Sequence, residues 1–273
     1  MIEFPEAIVL AKQIRLSLVG KEVVAVTAAH SPHKFAWYRG DPNGYGALLT
    51  GVQIEAARPY GGLVEIQAGD VYLVFGEGTS LAYLEPGVAR PQKHQLLLEF
   101  ADGSALVASV QMYGGLWAFR DGDFANPYYH IAREKPSPLA EEFSLHYFQS
   151  LARGAGKVSA KAFLATEQRV PGLGNGVLQD ILYNARIHPK RKLDTLSEAE
   201  YEGLYKSVRA TLRQMAEQGG RDTEKDLYGQ AGGYPTIMSK KNIANPCPSC
   251  GGTIKKEAYL GGSVYYCPSC QGL

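Results

Sequence analysis

The spacing of hydrophobic positions changes period twice along this chain. Over residues 6–18, Ile8, Leu10, Ala11, Ile14 and Leu18 recur on one helical face and Gly20 follows, which predicts an amphipathic helix stopped by a glycine. From residue 22 to residue 120 the texture shortens to β-rich runs, at 21–28, 63–67, 72–75, 95–100 and 105–109, divided by Gly, Pro, Asn and Asp. Asp102-Gly103 reads as a hairpin turn, and strands at this spacing suggest a sandwich or barrel-like layer. Residues 121–137 read as a linker. Beyond them a helical period returns over roughly 141–153, 157–168, 174–185 and 197–217. Ser197 and Glu200 form a capping box, and Gly219-Gly220 ends the last helix. Residues 219–246 are Gly-rich and irregular, and no internal repeat is visible.

The C-terminus carries the most specific chemistry. Cys247-Pro-Ser-Cys250 and Cys267-Pro-Ser-Cys270 are two Cys-x2-Cys pairs separated by sixteen residues, with alternating, hairpin-like sequence and Gly261-Gly262 between them. That spacing suits one tetrahedral Zn2+ held by four thiolates, a closed shell that makes the metal structural. Two disulfides or a redox Cys-x-x-Cys are the alternatives. With all four cysteines given to zinc none remains for disulfides, which fits a reducing cytoplasm.

Composition excludes little else. Hydrophobic residues make up 45% and charged residues 20% of 273 positions, an ordinary globular balance with room for two domains. No long apolar run suggests a membrane span, and Glu3 and Glu6 stand where a signal peptide would be basic. Net charge is +1, but residues 1–136 carry 11 Lys/Arg against 14 Asp/Glu whereas residues 137–273 carry 17 against 13. A basic excess in the half with the cysteines permits nucleic-acid binding there without demanding it.

Three motifs in order narrow the field: Met-Ile-Glu-Phe-Pro-Glu at the start; Lys161-Ala-Phe-Leu-Ala-Thr-Glu-Gln168, Pro171-Gly-Leu-Gly-Asn175 and Ile187-His-Pro189 in the middle; and the four-cysteine hairpin closing on Cys270-Gln271. Over essentially its whole length the chain resembles the formamidopyrimidine-DNA glycosylase/endonuclease VIII family of base-excision repair enzymes. The resemblance implies an α+β fold: an N-terminal β-sandwich domain with a leading helix (1–120), the linker (121–137), a helix–two-turn–helix domain (138–218), the Gly-rich connecting loop (219–246) and a zinc-finger hairpin (247–273). It also implies damaged duplex DNA, bound in the cleft between the domains, as partner. Nothing in the sequence calls for more than a monomer.

Residue by residue, the resemblance makes Glu3 the proton donor to the sugar and Glu6 a supporting carboxylate, although Glu6 also suits a helix's first turn. Gly174 and Asn175 would open a helix start towards a phosphate, with Lys161 adding charge; an ordinary helix corner and a solvated lysine are the plainer alternatives. His188 before Pro189 suits a structural cap.

The family's N-terminal proline nucleophile is absent. Ile2 stands in its place, so the amine available is that of Met1, or of Ile2 if Met1 is removed. Gly62 stands at the place of the strand lysine, in Arg58-Pro-Tyr-Gly-Gly62, and no arginine occurs in Val110-Gln-Met-Tyr-Gly-Gly115, where Met112 and Tyr113 remain as candidate wedges. Gly261-Gly262 replaces the hairpin arginine, leaving Lys240, Lys241, Lys255 and Lys256 as nearby cations. Two readings follow: a divergent DNA glycosylase with weak or absent AP-lyase activity, or a catalytically silent DNA-binding protein.

Overall fold

The computed structural model describes all 273 residues. Helix α1 (Phe4–Leu18) opens the chain, with Pro5 in its first turn, where no backbone N–H is needed. There follow β1 (Val23–Ala28), β2 (Ala36–Tyr38), the short α2 (Tyr45–Leu49), and β3 to β9 (Ala56–Tyr60, Leu63–Ala68, Val71–Phe75, Thr79–Leu84, Leu96–Phe100, Ala105–Val110, Gly114–Arg120). The strands form two sheets, ordered β1-β7-β8-β6 and β2-β9-β5-β4-β3, with antiparallel pairing everywhere except β2 against β9. This is the expected sandwich with its leading helix.

Four strands and α2 escaped the sequence reading for local reasons. β3 contains Pro59, which a ladder tolerates because β3 lies at the sheet edge. β9 begins with Gly114-Gly115, β6 with Thr79-Ser80, and β2 is three residues long. Residues 121–137, read as a linker, contain helix α3 (Pro127–Glu134), started by Pro127 and capped by Asn126, whose side chain accepts from Tyr128 and Tyr129 N–H. The Tyr129 hydroxyl donates to the buried Glu65 carboxylate on β4 and so ties α3 to the sandwich.

The second half holds α4 (Leu145–Arg153), α5 (Ala160–Ala165), α6 (Val177–Asn184) and α7 (Glu198–Glu217), then the hairpin β10 (Lys255–Tyr259) and β11 (Gly262–Tyr266). The Ser197/Glu200 capping box is present at α7, whereas α5 is shorter than its periodicity suggested: Ser159 caps its start, and Thr166 turns extended ahead of Glu167 and Gln168, whose φ of 56° and 46° are left-handed. Residues 219–246 carry no regular element, yet they tie the halves together. Leu227 is buried in the sandwich core, and its N–H donates to the Gln13 side chain on α1.

Helix α1 lies between the two cores. Ala7, Leu10, Ala11, Ile14 and Leu18 pack into the sandwich, while Phe4 belongs to the helical core and Ile8 packs against it. Beside it the β3–β4 turn meets the α5–α6 connection through backbone alone. Gly61 (φ 56°) and Gly172 (φ 83°) are both left-handed; a Cβ on Gly61 would lie 2.7 Å from Pro171 Cβ, and one on Gly172 would lie 2.5 Å from Gly62 N. Phe4 N–H donates to Gly172 O at 2.9 Å across the same junction. Gly172→Ala should therefore destabilise the protein by roughly 1–3 kcal/mol, read as a lowered denaturation midpoint, because neither neighbour is a side chain that can swing away.

Candidate functional site

Glu3 and Glu6 lie beneath the junction, 3% and 5% exposed, around one buried arginine that the sequence reading did not single out. Arg221 sets its fork on Glu6, Nε to Oε1 at 2.9 Å and Nη2 to Oε2 at 2.7 Å, and its own N–H donates to the same carboxylate. Glu6 Oε2 also accepts the Glu3 N–H. The Glu3 carboxylate accepts Gly176 N–H at 2.8 Å and Val177 N–H at 2.7 Å at the start of α6, and stands 3.4 Å from Arg221 Nη1. The two carboxylates are pushed apart. Burial raises the Glu3 pKa above its ordinary value despite Arg221, whereas at Glu6 the opposing effect of burial is outweighed by Arg221 and the pKa falls. A proton carrier beside a fixed anion is an arrangement suited to acid–base chemistry.

Gly174 and Gly176 make this packing possible. A Cβ on Gly174 would lie 2.5 Å from Glu3 Oε1, and one on Gly176 would collide with Arg221. Gly174 thus leaves room for Glu3. The side chain of Ile2 is buried in the sandwich core, so the chain start is anchored one residue in. Met1 continues outward: its carbonyl accepts from Arg221 Nη2, and its α-ammonium pairs with Glu224. Met1, Glu6 and Glu224 border a cavity of about 460 Å³ whose other walls include Thr79 and Ser80 of β6, Ser109 of β8, and Lys225.

Cys247, Cys250, Cys267 and Cys270 converge, with all four Sγ atoms within 4.8 Å of one another. The shortest separations, 3.4 Å for Cys250–Cys267 and 3.8 Å for Cys247–Cys270, are far longer than a disulfide bond, so the four remain thiols. Each pair is turned by a matching bond, Gly251 N–H to Cys247 O and Gln271 N–H to Cys267 O. This is an all-sulfur donor set closed enough to surround one metal ion.

The hairpin is held on the helices by polar side chains. Asn175 Nδ2 donates to Ser263 O at 2.9 Å, the Lys161 ammonium to Tyr259 O at 2.6 Å, Gln179 Nε2 to Ser263 O at 3.0 Å and Gln271 Nε2 to Ile187 O at 3.0 Å. Lys161 is 3% exposed, and Asn175 Oδ1 is buried without a partner. Both residues expected to face a phosphate thus each donate to a hairpin carbonyl. His188 closes a turn, its Nδ1 accepting from Lys190 N–H.

Residues 135–226 match the H2TH domain of formamidopyrimidine-DNA glycosylase. The formamidopyrimidine-DNA glycosylase of Mycobacteroides abscessus is 30% identical over 100% of this chain and 99% of its own length. The chain belongs to the formamidopyrimidine-DNA glycosylase family. The same-named protein of Symbiobacterium thermophilum is 29% identical over 99% of this chain and 89% of its own. In fold, the chain is similar to the MutM (Fpg) protein of Thermus thermophilus (TM-score 0.82, 24% identity, covering 99% of this chain and 98% of that one). It is equally similar to Lactococcus lactis Fpg in complex with DNA containing an abasic site (TM-score 0.83, 22% identity, covering 99% and 100%).

Gly62, at the strand lysine's place, lies with its would-be Cβ 3.3 Å from Gly172 Cα. In the loop without arginine, Met112 is 64% exposed and Tyr113 stacks on Trp37. On the hairpin, Gly262 packs on the Asn175 amide. Lys240, Lys255 and Lys256 are exposed, whereas Lys241 is paired with Asp222. No helix is long and apolar enough to cross a membrane. Arg221 was hard to find in sequence: it follows a helix-stopping glycine pair, and its partners lie more than 200 positions away. Arg221→Met should cost about 3–5 kcal/mol of stability, since it leaves a buried Glu6 anion uncompensated. Combining it with Glu6→Gln should recover part of that loss, as measured by denaturant unfolding.

Proposed function

We propose that this protein is a base-excision DNA glycosylase that binds damaged duplex DNA in the cleft between its domains, with Met1 supplying the nucleophilic amine. The observation that carries the reading is the convergence of Met1, Glu6 and Glu224 on one cavity, with Arg221 tying Glu3 to them. Glu224 pairs with the Met1 ammonium and is placed to take the proton the amine must lose before attack. Attack at the sugar carbon breaks its bond to the base, which leaves with the bonding pair and takes the proton held by Glu224; Glu3, whose pKa is raised, then protonates the ring oxygen as the ring C–O bond opens to the iminium. Glu6 and Arg221 keep Glu3 and the chain start in register. Removal of Met1 would leave the Ile2 amine about 3.5 Å further in, beside a side chain locked in the core.

A primary amine forms an iminium that still carries an N–H and can relax to a neutral imine. It is a poorer electron sink than the proline-derived ion, so AP-lyase strand cleavage should lag behind base release. Met112 suits the wedge role, and Lys240, Lys255 and Lys256 suit phosphate contacts. Lys161, Gly174 and Asn175 act indirectly, by holding the hairpin and making room for Glu3. The four-thiol set fits Zn2+, which when bound would pin the two turns of the hairpin together.

Reduction with borohydride in the presence of abasic duplex should trap a covalent adduct on the Met1 peptide, identified by mass spectrometry. Base release from oxidised, ring-opened or alkylated duplexes should be lost in Glu3→Gln while DNA affinity survives. No adduct and no base release from any of these, with binding intact, would overturn the enzymatic reading. Chelation of the metal should release about one Zn2+ per chain and abolish DNA affinity, with the sandwich still folded by circular dichroism.

A further inference from the structure

Helix α6 meets the four-cysteine site through one side chain. Its residues from Val177 to Tyr183 are all buried, and its start gives Glu3 the N–H groups of Gly176 and Val177. At the other end Tyr183 joins Met238, Cys247, Ile254, Tyr265 and Cys267 in a small apolar cluster apart from the helical core. It is the one residue of α6 in that cluster.

The Tyr183 hydroxyl has two polar neighbours there. It stands 3.4 Å from Cys247 Sγ, within hydrogen-bond range of sulfur, and 2.6 Å from Ser249 Oγ. The direction of these bonds follows from the state of the sulfur. A free thiol can donate, but a thiolate bound to a metal can only accept. Tyr183 then gives its single proton to Cys247, and Ser249, exposed in the turn between Cys247 and Cys250, gives its own to Tyr183. The bonds run one way, from Ser249 through Tyr183 to Cys247.

A shell of four thiolates around Zn2+ holds more negative charge than the ion neutralises. Buried sulfur has little water to spread that excess, so donors from the protein must do it. The cysteines differ in this respect. Cys250 is exposed and faces a donor from its own turn, Gly252 N–H at 3.4 Å, whereas Cys247 is 2% exposed and faces a hydroxyl from a separate helix. A bond inside the turn steadies the turn alone. The bond from Tyr183 also fastens the sulfur to α6.

We infer that Tyr183 is a positioning residue of the metal centre, its hydroxyl holding the Cys247 thiolate so that retention of the metal depends on α6. The inference rests on the four-thiol reading of the hairpin and adds to it a side chain 64 positions before the first cysteine.

Tyr183→Phe isolates the hydroxyl. The ring still fills the apolar cluster, and the exposed Ser249 turns to water, so no buried group is orphaned. With the whole chain loaded with Zn2+, an excess of a colorimetric chelator measures the rate of metal loss. Tyr183→Phe should lose zinc about tenfold faster than the parent. Ser249→Ala leaves Tyr183 its proton for sulfur and should quicken the loss only about twofold. The double variant should match Tyr183→Phe, because Ser249 acts through the hydroxyl. Loading with Co2+ gives a second readout that a change in folding stability would not move. The sulfur-to-metal charge-transfer band should shift to lower energy in Tyr183→Phe, since a thiolate without its hydrogen bond gives up electrons more readily. Excess Zn2+ should return the variant's affinity for abasic duplex to that of the parent; failure to do so would mean that Tyr183 serves the fold and not the metal. Equal zinc loss and identical cobalt spectra in parent and Tyr183→Phe would overturn the inference while leaving the four-thiol site in place. Should Tyr183→Phe not fold, unaltered zinc loss and an unaltered cobalt band in Ser249→Ala would overturn it equally. A parent chain that takes up neither Zn2+ nor Co2+ would overturn both readings.

Discussion

A guanidinium buried between two carboxylates organises this molecule. Arg221 is 2% exposed, and a charge so removed from water survives only if it is paired and hydrogen-bonded. The pairing draws the first residues of the chain, the start of α6 and the segment after α7 to one point. Because α1 belongs to both cores, the network also sets how the halves meet. Burial raises the proton affinity of Glu3 while Arg221 lowers that of Glu6, so the stabilising contact and the proposed chemistry share one arrangement.

The hairpin is the second unit that depends on polar contacts, since it is too small to bury a core of its own. Its thiols account for closure and its docking accounts for position, through Lys161, Asn175, Gln179 and Gln271. Lys161 and Asn175, read from sequence as phosphate contacts, each direct one donor to a hairpin carbonyl and so help to set the hairpin's position.

Glycines do much of the remaining work by what they leave out. At Gly61 and Gly172 they let two backbones touch across the junction; at Gly174 and Gly176 they admit the buried ion network; at Gly76 and Gly115 they make room for the Trp117 ring. Gly62 and Gly262 stand where the resemblance leads one to expect cations, and Met112 and Tyr113 occupy the loop that lacks an arginine.

Local rules were enough for much of the reading. The leading helix, the α7 capping box, the central strands and the cysteine pairs follow from periodicity, capping and spacing, all set by residues close together in sequence. The family motifs likewise located Glu3 and Glu6. Other features have no local signature. β3 goes unread until its place at the sheet edge excuses Pro59, and α3 hides in a stretch rich in Asp, Asn and Pro. Arg221 and Glu224 are ordinary charged residues until folding brings them beside Glu6 and Met1. Sequence determined which chemical groups were present and which short elements would form. Only the tertiary structure decided which charges lost their water and what each then had to face, because desolvation and pairing depend on neighbours that are close in space and distant along the chain.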